Sequence, residues 1–286
     1  MSITGSGEGD TGYDAFDMGR LLNTLKLLQN YSKGRIDPTA IIAEWDIAKT
    51  IVGNRIHSVK NGVLADVHNS PYANYAARGF RAWGFDVDPA FGINMDADTV
   101  EVQLTLLDAL SQSEPLGAEP HVFEGVELGH SPFSRLAGDV LYEMQLKRYR
   151  ETGHFVCVSE GPLDHEPWFS YQGYMVLSES DPWKVEMVGN NPRFQTEGFR
   201  LANEVVSTKS AFMWAALRPQ DYSRRLLDYV RARTRIADLG FSPGIYSVTG
   251  KAMKNYSDLN TNGAILEAIA YIAGGRTPLH LQAMRS

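Results

Sequence analysis

The chain has 286 residues, one cysteine, 43% hydrophobic and 21% charged residues, and a formal net charge of −7. This length can bury a large core without disulfide or metal support, and the hydrophobic content excludes a mainly disordered chain. The acidic balance argues against nucleic acid and against an anionic membrane surface as partners, because both attract a basic face.

The chain ends and the lone cysteine bear on domain organisation. The opening MSITGSGEGD has neither a basic nor an apolar region, so it predicts a flexible lead-in over 1–12 and no signal peptide in this chain. No run is long and apolar enough for a membrane span. No low-complexity linker divides the remainder, which predicts one domain over 13–276 and a tail over 277–286. Cys157, in the apolar run HFVCVS, is predicted to be a buried thiol.

Helical periodicity dominates the chain in sequence order. Asp37 and Ser70, each followed by proline, are predicted N-caps, and Gly53 is the predicted end of the helix that Asp37 begins. Helices are predicted over residues 14–31, 37–53, 70–85, 119–129, 131–151, 207–217, 219–235 and 260–274.

Short extended segments separate these helices. EVQLTLL (101–107) alternates in polarity, FVCVSEG (155–161) is typical of a strand, and 171–178 and 183–189 are predicted to form a hairpin. Many helices with short connections indicate antiparallel helical hairpins packed side by side. The sequence therefore predicts a mainly α fold, an (α/α)6-toroid-like helical barrel, complete or incomplete at its N-terminus, with short β-hairpins in its loops around a central cleft.

Several common catalytic signatures do not occur in the sequence. There is no Walker loop, dinucleotide-binding glycine fingerprint, HExxH motif or nucleophile elbow. The seven histidines show no tight metal-ligand spacing. The sequence therefore predicts no metal site and no cofactor.

Carboxylates beside aromatic residues suggest carbohydrate chemistry in the segment SEGPLDHEPWFSYQGY (159–174) and in AEPHVFEGVELG (118–129). Glycoside hydrolysis requires two carboxyl groups that flank the scissile bond, one protonated and one ionised. Surface acids are common, and an acid in the first turn of a helix can serve the helix dipole alone. The candidate catalytic acids are Glu160, Asp164, Glu124, Glu119 and Asp17.

Aromatic rings and amide groups are the predicted substrate contacts, because rings in irregular segments can stack on sugars. The alternatives are burial in the core for the rings and helix capping for the polar cluster at 260–262. The lone lysine in VVSTKSAFMWAAL is expected to pair with an inward-facing acid. The candidate substrate-binding residues are Trp168, Tyr171, Trp183, Lys209, Asn260 and Asn262.

Six ordered stretches carry a family resemblance. They are DAFDMGRLLNTLKLL, YANYAARGFRAWGF, AEPHVFEGVELG, RYRETGHFVCVSEGPLDHEPWFSYQGY, VSTKSAFMWAAL and DLNTNGAILEAIAY. Over residues 13–274 the chain resembles a bacterial domain family of unknown function that is classed as glucoamylase-like and is related to six-hairpin, (α/α)6 glycosidases.

The resemblance implies a toroid, acids in its central cleft, and an association with periplasmic or extracellular polysaccharide. The family's acidic-aromatic segment matches the stretch from Ser159 to Trp168, its EPY-type segment matches 119–129, and the aspartate of its first matched helix corresponds to Asp17. The chain departs from the family in one respect, because no Thr-x-Trp-Asp motif precedes Tyr13. Either a second chain or an N-terminal segment would then complete the toroid, or the toroid is open.

Three functional hypotheses follow. The first is a glycoside hydrolase-like protein that acts on a bacterial polysaccharide, a glucan, with Glu160 as the proton donor and Asp164 as its partner or a positioning group. The second is a non-catalytic carbohydrate-binding or scaffold subunit of polysaccharide synthesis or export. The third is a helical interaction module whose aromatic residues all lie in the core, and it predicts no acidic cleft.

Overall fold

A computed structural model of the protein describes residues 12–91, 99–176, 178, 181–189, 191–254 and 256–285. The described chain is mainly helical with three small sheets, in agreement with the predicted class. Its contacts divide it into two compact units, residues 1–105 with 280–286 (unit 1) and residues 106–279 (unit 2). The sequence predicted one domain over 13–276 and did not predict a division into two units. Most of the predicted lead-in lies outside the described residues.

Unit 1 combines helices with one antiparallel sheet. Its elements are β1 (Gly12–Tyr13), α1 (Ala15–Tyr31), α2 (Thr39–Ala43), a 3-10 turn (Ile47–Thr50), β2 (Ile51–Val52), β3 (Arg55–Lys60), β4 (Val63–Asp66) and α3 (Pro71–Ala82). Helix α4 (Thr99–Ser111) contains the point of division, and α11 (Leu279–Arg285) returns to unit 1. The core of this unit is centred on Leu22, Ile56 and Phe80, none of which is exposed.

In unit 1, helices α1 and α3 approach each other closely at two glycines. A Cβ atom added at Gly79 would lie 2.1 Å from the carbonyl oxygen of Gly19, and one added at Gly19 would lie 2.5 Å from the Cα of Ala76. The Asn23 amide donates to the Tyr75 carbonyl across the same contact at 3.4 Å. Glycine is therefore required sterically at both positions.

Unit 2 carries most of the candidate residues. Its elements are α5 (Glu119–Phe123), a π-helical turn (Glu124–Leu128), α6 (Pro132–Thr152), β5 (Gly161–Pro162), β6 (Phe169–Tyr174), β7 (Trp183–Met187), a 3-10 turn (Pro192–Gln195), α7 (Glu197–Ala202), β8 (Val205–Ser207), α8 (Thr208–Leu217), α9 (Asp221–Thr234), a 3-10 turn (Ala237–Leu239), β9 (Gly244–Tyr246) and α10 (Leu259–Ala273).

Helix α8 is the centre of unit 2, since it contacts α5, α9 and α10. Its residue Trp214 is fully buried and packs against Tyr142 of α6 with ring centroids 5.4 Å apart. The apolar repeat of α9 is buried as its spacing predicts, because Tyr222, Leu226 and Val230 are 3%, 0% and 0% exposed. These contacts hold the first turns of α5, α8 and α10 close together.

Two predicted extended segments are wrong. Residues 101–107 lie in helix α4, where Val100, Leu104 and Leu107 follow helical spacing on one exposed side. Residues 155–160 belong to no strand, because this buried segment bonds to two different neighbours rather than to one ladder. The amide of Ala118 donates to the Val158 carbonyl, and the amide of Ser207 donates to that of Cys157.

The helix predicted over 37–53 is much shorter than expected. The α-helix covers only Thr39–Ala43, although the Asp37 carboxylate accepts a bond from the Thr39 amide at 3.1 Å. Its predicted second half enters the sheet, since Ile51 pairs with Ile56 across a turn at Gly53 and Asn54 with positive φ. Pairing with β3 therefore overrides the local helical pattern.

The other predicted helices, and the hairpin predicted from 171–178 and 183–189, are present in the structure. Asp14, Ser70 and Ser131 cap α1, α3 and α6 through their side-chain oxygens, and β6 pairs antiparallel with β7. Cys157 is buried, and burial raises the pKa of its thiol far above the ordinary value. No helix in the described part of the chain combines the length and apolar character needed to cross a membrane.

Candidate functional site

A narrow recess in unit 2 lies where strand β6 meets the first turns of α8 and α10. It has room for about one water molecule. Its polar lining comes from the segment before β5, from alternate residues of β6, and from the two helix starts. The polar residues that define this recess are Ser159, Glu160, Ser170, Gln172, Ser207, Lys209 and Thr261.

A buried ion pair adjoins the recess. Glu119 and Lys209 are each 4% exposed, and the Lys209 ammonium contacts Glu119 Oε2. The same ammonium donates to Asn260 Oδ1 at 3.1 Å. Lys209 also lines the recess together with Glu160, so it lies between the recess and Glu119. The structure thus brings together Glu160, Glu119, Lys209 and Asn260, and it confirms that Lys209 pairs with an inward-facing acid.

Glu124 is buried but does not line the recess. It lies in the π-helical turn and is 1% exposed, and its Oε1 accepts a bond from the Ser131 amide at 2.9 Å. Burial lowers the pKa of neighbouring His130, and the Glu124 charge opposes this shift. Glu127, also in the π-helical turn, is 2% exposed and was not a candidate. The π-helical turn that precedes α6 therefore holds both of these residues in the interior of unit 2.

His121 is a buried base one helical turn from Glu124. Its Nδ1 lies 3.3 Å from Ser134 Oγ, and its ring is 1% exposed. Burial, with a smaller effect of His130, lowers the pKa of His121 to about 3. The imidazole therefore stays neutral in the folded protein over the whole range in which a histidine of the unfolded chain becomes charged.

This burial predicts an acid-dependent loss of stability. The unfolded chain binds a proton at His121 below about pH 6.5 and the folded chain does not, so stability is present above that pH and falls on acidification. Between pH 6.5 and 5 the loss from this residue is about 2 kcal/mol. Urea unfolding at both pH values is expected to show a flatter pH dependence for His121→Gln than for the wild type. Equal dependence in the two proteins would contradict the burial argument.

Asp164 is anchored by three hydrogen bonds outside the recess lining. Its Oδ1 accepts from the Tyr246 hydroxyl at 2.6 Å and lies 3.0 Å from His165 Nδ1, while Oδ2 accepts from the Lys254 amide at 3.3 Å. Burial opposes its ionisation, but the bonds from Tyr246, His165 and Lys254 outweigh burial and lower the pKa of Asp164. Asp164 is therefore suited to fix the turn over 163–168 as a carboxylate, and not to donate a proton.

The predicted aromatic contacts are not gathered in the recess. Trp168 is 60% exposed in the turn before β6, with a positive φ of 70°. Tyr171 is 50% exposed and alternates with Ser170 and Gln172, so it points to the opposite side of β6 from the recess. Trp183 has Arg148 over its ring at 5.0 Å, which leaves less of that ring for a sugar.

Two further candidates have positions that limit their roles. Asn262 accepts a bond from the Phe241 amide at 3.0 Å and donates to the Phe241 carbonyl at 3.0 Å, so it braces the loop before β9. Asp17 is exposed in the first turn of α1. Asp17 belongs to unit 1, whereas the residues that line the recess belong to unit 2.

Sequence reasoning missed Ser159, Gln172 and Tyr246 as parts of these arrangements. Ser159 is 4% exposed, and its hydroxyl oxygen has no hydrogen-bond partner among the described residues. Gln172 closes the recess by accepting from the Val205 amide at 2.9 Å. Alternation along β6 could have indicated Ser170 and Gln172 as one side of the strand, whereas Tyr246 lies 82 residues from Asp164 and offered no local signal.

Comparison with known proteins identifies a family whose function is unknown. A family model described as "Protein of unknown function (DUF3131)" matches residues 4–275. No curated protein matches the chain, and no solved structure matches it either.

Proposed function

The chain belongs to the DUF3131 family of proteins of unknown function, and from its side-chain chemistry we propose that it is a glycoside hydrolase-like protein acting on a bacterial polysaccharide, a glucan. The proposal includes the relation to six-hairpin glycosidases and the periplasmic or extracellular location that the resemblance implies. It needs no metal or cofactor, since carboxyl groups alone can carry this reaction.

One observation carries the proposal: two carboxyl groups in unlike settings lie near the same buried lysine, one in contact with it and one lining the same recess. Glu160 and Lys209 line the same recess, and Glu119 contacts the Lys209 ammonium from within the core. Acid and base roles in such sites are assigned by differences in environment. Glu119 is buried in an ion pair with Lys209, whereas Glu160 is partly exposed at the recess.

These settings give each group a role. Glu160 donates its proton to the glycosidic oxygen as the bond to the sugar carbon breaks, and water attacks that carbon as its own proton passes to Glu119. Glu119 is the partner carboxylate. The Lys209 ammonium holds its position and also donates to Asn260 Oδ1. Glu124 is the alternate base, and the ionised Asp164 fixes the turn over 163–168 that follows Glu160.

The proposed architecture is an (α/α)6-toroid-like barrel. Helices α8 and α9 support it, because they contact each other and are joined by three residues, as in a helical hairpin. A second chain or an N-terminal segment that completes the toroid is part of this proposal.

The test is hydrolysis of a panel of bacterial glucans by the purified chain, followed through released reducing ends. Glu160→Gln is expected to lower the rate at least about 100-fold, because removal of a general acid typically costs this much. Glu151→Gln is the matched control, since this carboxylate is 60% exposed on α6 and pairs only loosely with Lys147 at 3.9 Å. The control is expected to keep the wild-type rate.

Each result has a definite meaning. A Glu160→Gln protein that hydrolyses glucan at the wild-type rate would remove Glu160 from the mechanism. Release of no reducing ends from any glucan by the wild type would overturn the hydrolase proposal.

The second candidate function is non-catalytic carbohydrate binding in polysaccharide synthesis or export. The size of the recess favours it, because room for about one water molecule does not admit a sugar ring. The position of Tyr171 on the other side of β6 favours it as well. Calorimetric binding of a glucan that survives Glu160→Gln, without turnover by the wild type, is the result this candidate predicts.

A further inference from the structure

The solvent side of the β6–β7 hairpin carries an exposed aromatic patch. Residues of β6 that alternate with the recess residues point to this side, and their partners on β7 follow the same register. We define this aromatic face by Phe169, Tyr171, Lys184, Glu186 and Val188. Its members are exposed or partly exposed, while Ser170, Gln172, Val185 and Met187 on the other side are buried.

The rings of this face have a fixed arrangement. Phe169 and Tyr171 meet edge to face with ring centroids 5.2 Å apart. Tyr171 is paired across the strands with Glu186, and the Val188 amide donates to the Phe169 carbonyl at 3.3 Å. A rigid ring with a neighbouring carboxylate can stack on a pyranose while the carboxylate accepts hydrogen bonds from its hydroxyl groups.

Trp168 extends the patch from the adjoining turn. Its amide donates to the His165 carbonyl at 2.8 Å, and its own carbonyl accepts from the Leu163 amide at 2.9 Å. These bonds hold a bulky residue at a positive φ, a conformation that costs free energy and concentrates at ligand-contact positions. Among the described residues, Tyr31, Trp168 and Tyr171 are the aromatic side chains with at least two fifths of their surface exposed.

We propose that the aromatic face, with Trp168, is a second carbohydrate-binding site that takes one strand of an uncharged polysaccharide. It lies on the side of β6 opposite the recess, so a bound chain is held by the protein without entering the recess. The inference rests on the proposed function for the class of its ligand, and it adds a site that the proposed hydrolysis does not require.

The size of the patch argues against a protein partner. The exposed parts of Trp168 and Tyr171 amount to roughly 100 Å² each, given the usual area of such side chains. Even with Phe169 and Val188, the apolar area is well below the roughly 800 Å² per partner of a stable protein interface. A few stacked sugar rings need no more than this.

The charges favour an uncharged ligand. Lys184 and Glu186 cancel on the face itself, and Glu166 beside Trp168 pairs with Arg193 at 3.5 Å. Such a surface has no net positive field with which to attract a polyanion. A neutral glucan therefore fits it better than a polyuronate does.

Affinity electrophoresis in gels that contain a soluble uncharged glucan tests the proposal, with a polyuronate gel alongside. The double variant Trp168→Ala, Tyr171→Thr is expected to be retarded less, with a dissociation constant for the glucan raised at least about tenfold. Threonine is used at position 171 because it keeps the strand propensity of β6. Tyr171→Phe keeps the ring and is expected to bind. Tyr31→Ala is the matched control, since Tyr31 is 41% exposed but lies in unit 1.

The two proposals can fail separately. Glu160→Gln is expected to remain retarded by the glucan while losing hydrolysis. Wild-type retardation of the double variant, equal retardation by polyuronate, or no retardation by any glucan would each overturn the second site. Absence of hydrolysis with ring-dependent retardation would overturn the hydrolase proposal alone.

Discussion

Replacing Lys209 with methionine is expected to lower the free energy of unfolding by about 3–5 kcal/mol. The substitution removes the cation that faces Glu119 and leaves a carboxylate 4% exposed without its counter-charge. Taking one partner from a buried ion pair is costly because the remaining charge keeps its desolvation penalty. Chemical denaturation of the variant at pH 7 measures the loss.

Two controls separate this charge effect from lost packing. Glu119→Leu combined with Lys209→Met is expected to recover most of the stability, since replacing both members of a buried pair is often nearly neutral. Lys147→Met removes a lysine from an exposed pair and is expected to cost about 0.5 kcal/mol or less. A double variant no more stable than Lys209→Met would show that packing, and not charge, dominates.

Replacing Gly79 with alanine is expected to destabilise unit 1 by about 3 kcal/mol. The new methyl group would lie 2.1 Å from the Gly19 carbonyl oxygen, which is backbone and cannot rotate away. Helices α1 and α3 would have to separate, and the buried contacts between them would loosen. Thermal and urea unfolding of the variant measure the effect.

Gly263→Ala provides the matched comparison. Gly263 lies within helix α10, and an added Cβ there meets no atom within 4 Å. Because alanine is the better helix former, this variant is expected to gain about 0.5–1 kcal/mol. The same substitution should therefore have opposite signs at the two glycines, and a stabilised Gly79→Ala protein would refute the close contact of α1 with α3.

Local rules predicted the helices that have strong caps. Ser70 followed by Pro71 begins α3 as expected, and the predicted helix over 131–151 is α6 (Pro132–Thr152). These signals are local because a cap satisfies amides within its own turn. The sequence analysis did not predict the β3–β4 hairpin, although the pair Asn61–Gly62 is a typical signal for it. These two residues have positive φ angles and form the tight turn between β3 and β4.

Tertiary pairing decided the elements that the sequence did not predict. Residues 101–107 alternate in polarity like a strand, yet they also satisfy helical spacing, and a short window cannot distinguish the two. Ile51 and Val52 join β3 although the preceding residues favour a helix. Such outcomes depend on partners distant in sequence, which a local pattern does not contain.

The candidate site was predicted residue by residue but not as an arrangement. Lys209 was expected to meet an acid, yet Glu119 lies 90 residues away and no spacing rule connects the two. Strand alternation at β6 did contain the information that Tyr171 and Ser170 face opposite sides. The role of Asp164 could not be predicted from local sequence, because its partner Tyr246 lies 82 residues further along the chain.

Because Cys157 is buried, its chemical modification can report the local opening of the folded chain. Cys157 is the sole cysteine among 286 residues, it is 0% exposed, and it belongs to unit 2. A thiol-specific alkylating reagent can modify it only while that unit is open, so the rate of modification measures the opening equilibrium of unit 2. Changes at Lys209 or His121 act directly on this rate, whereas a change at Gly79 acts on the other unit.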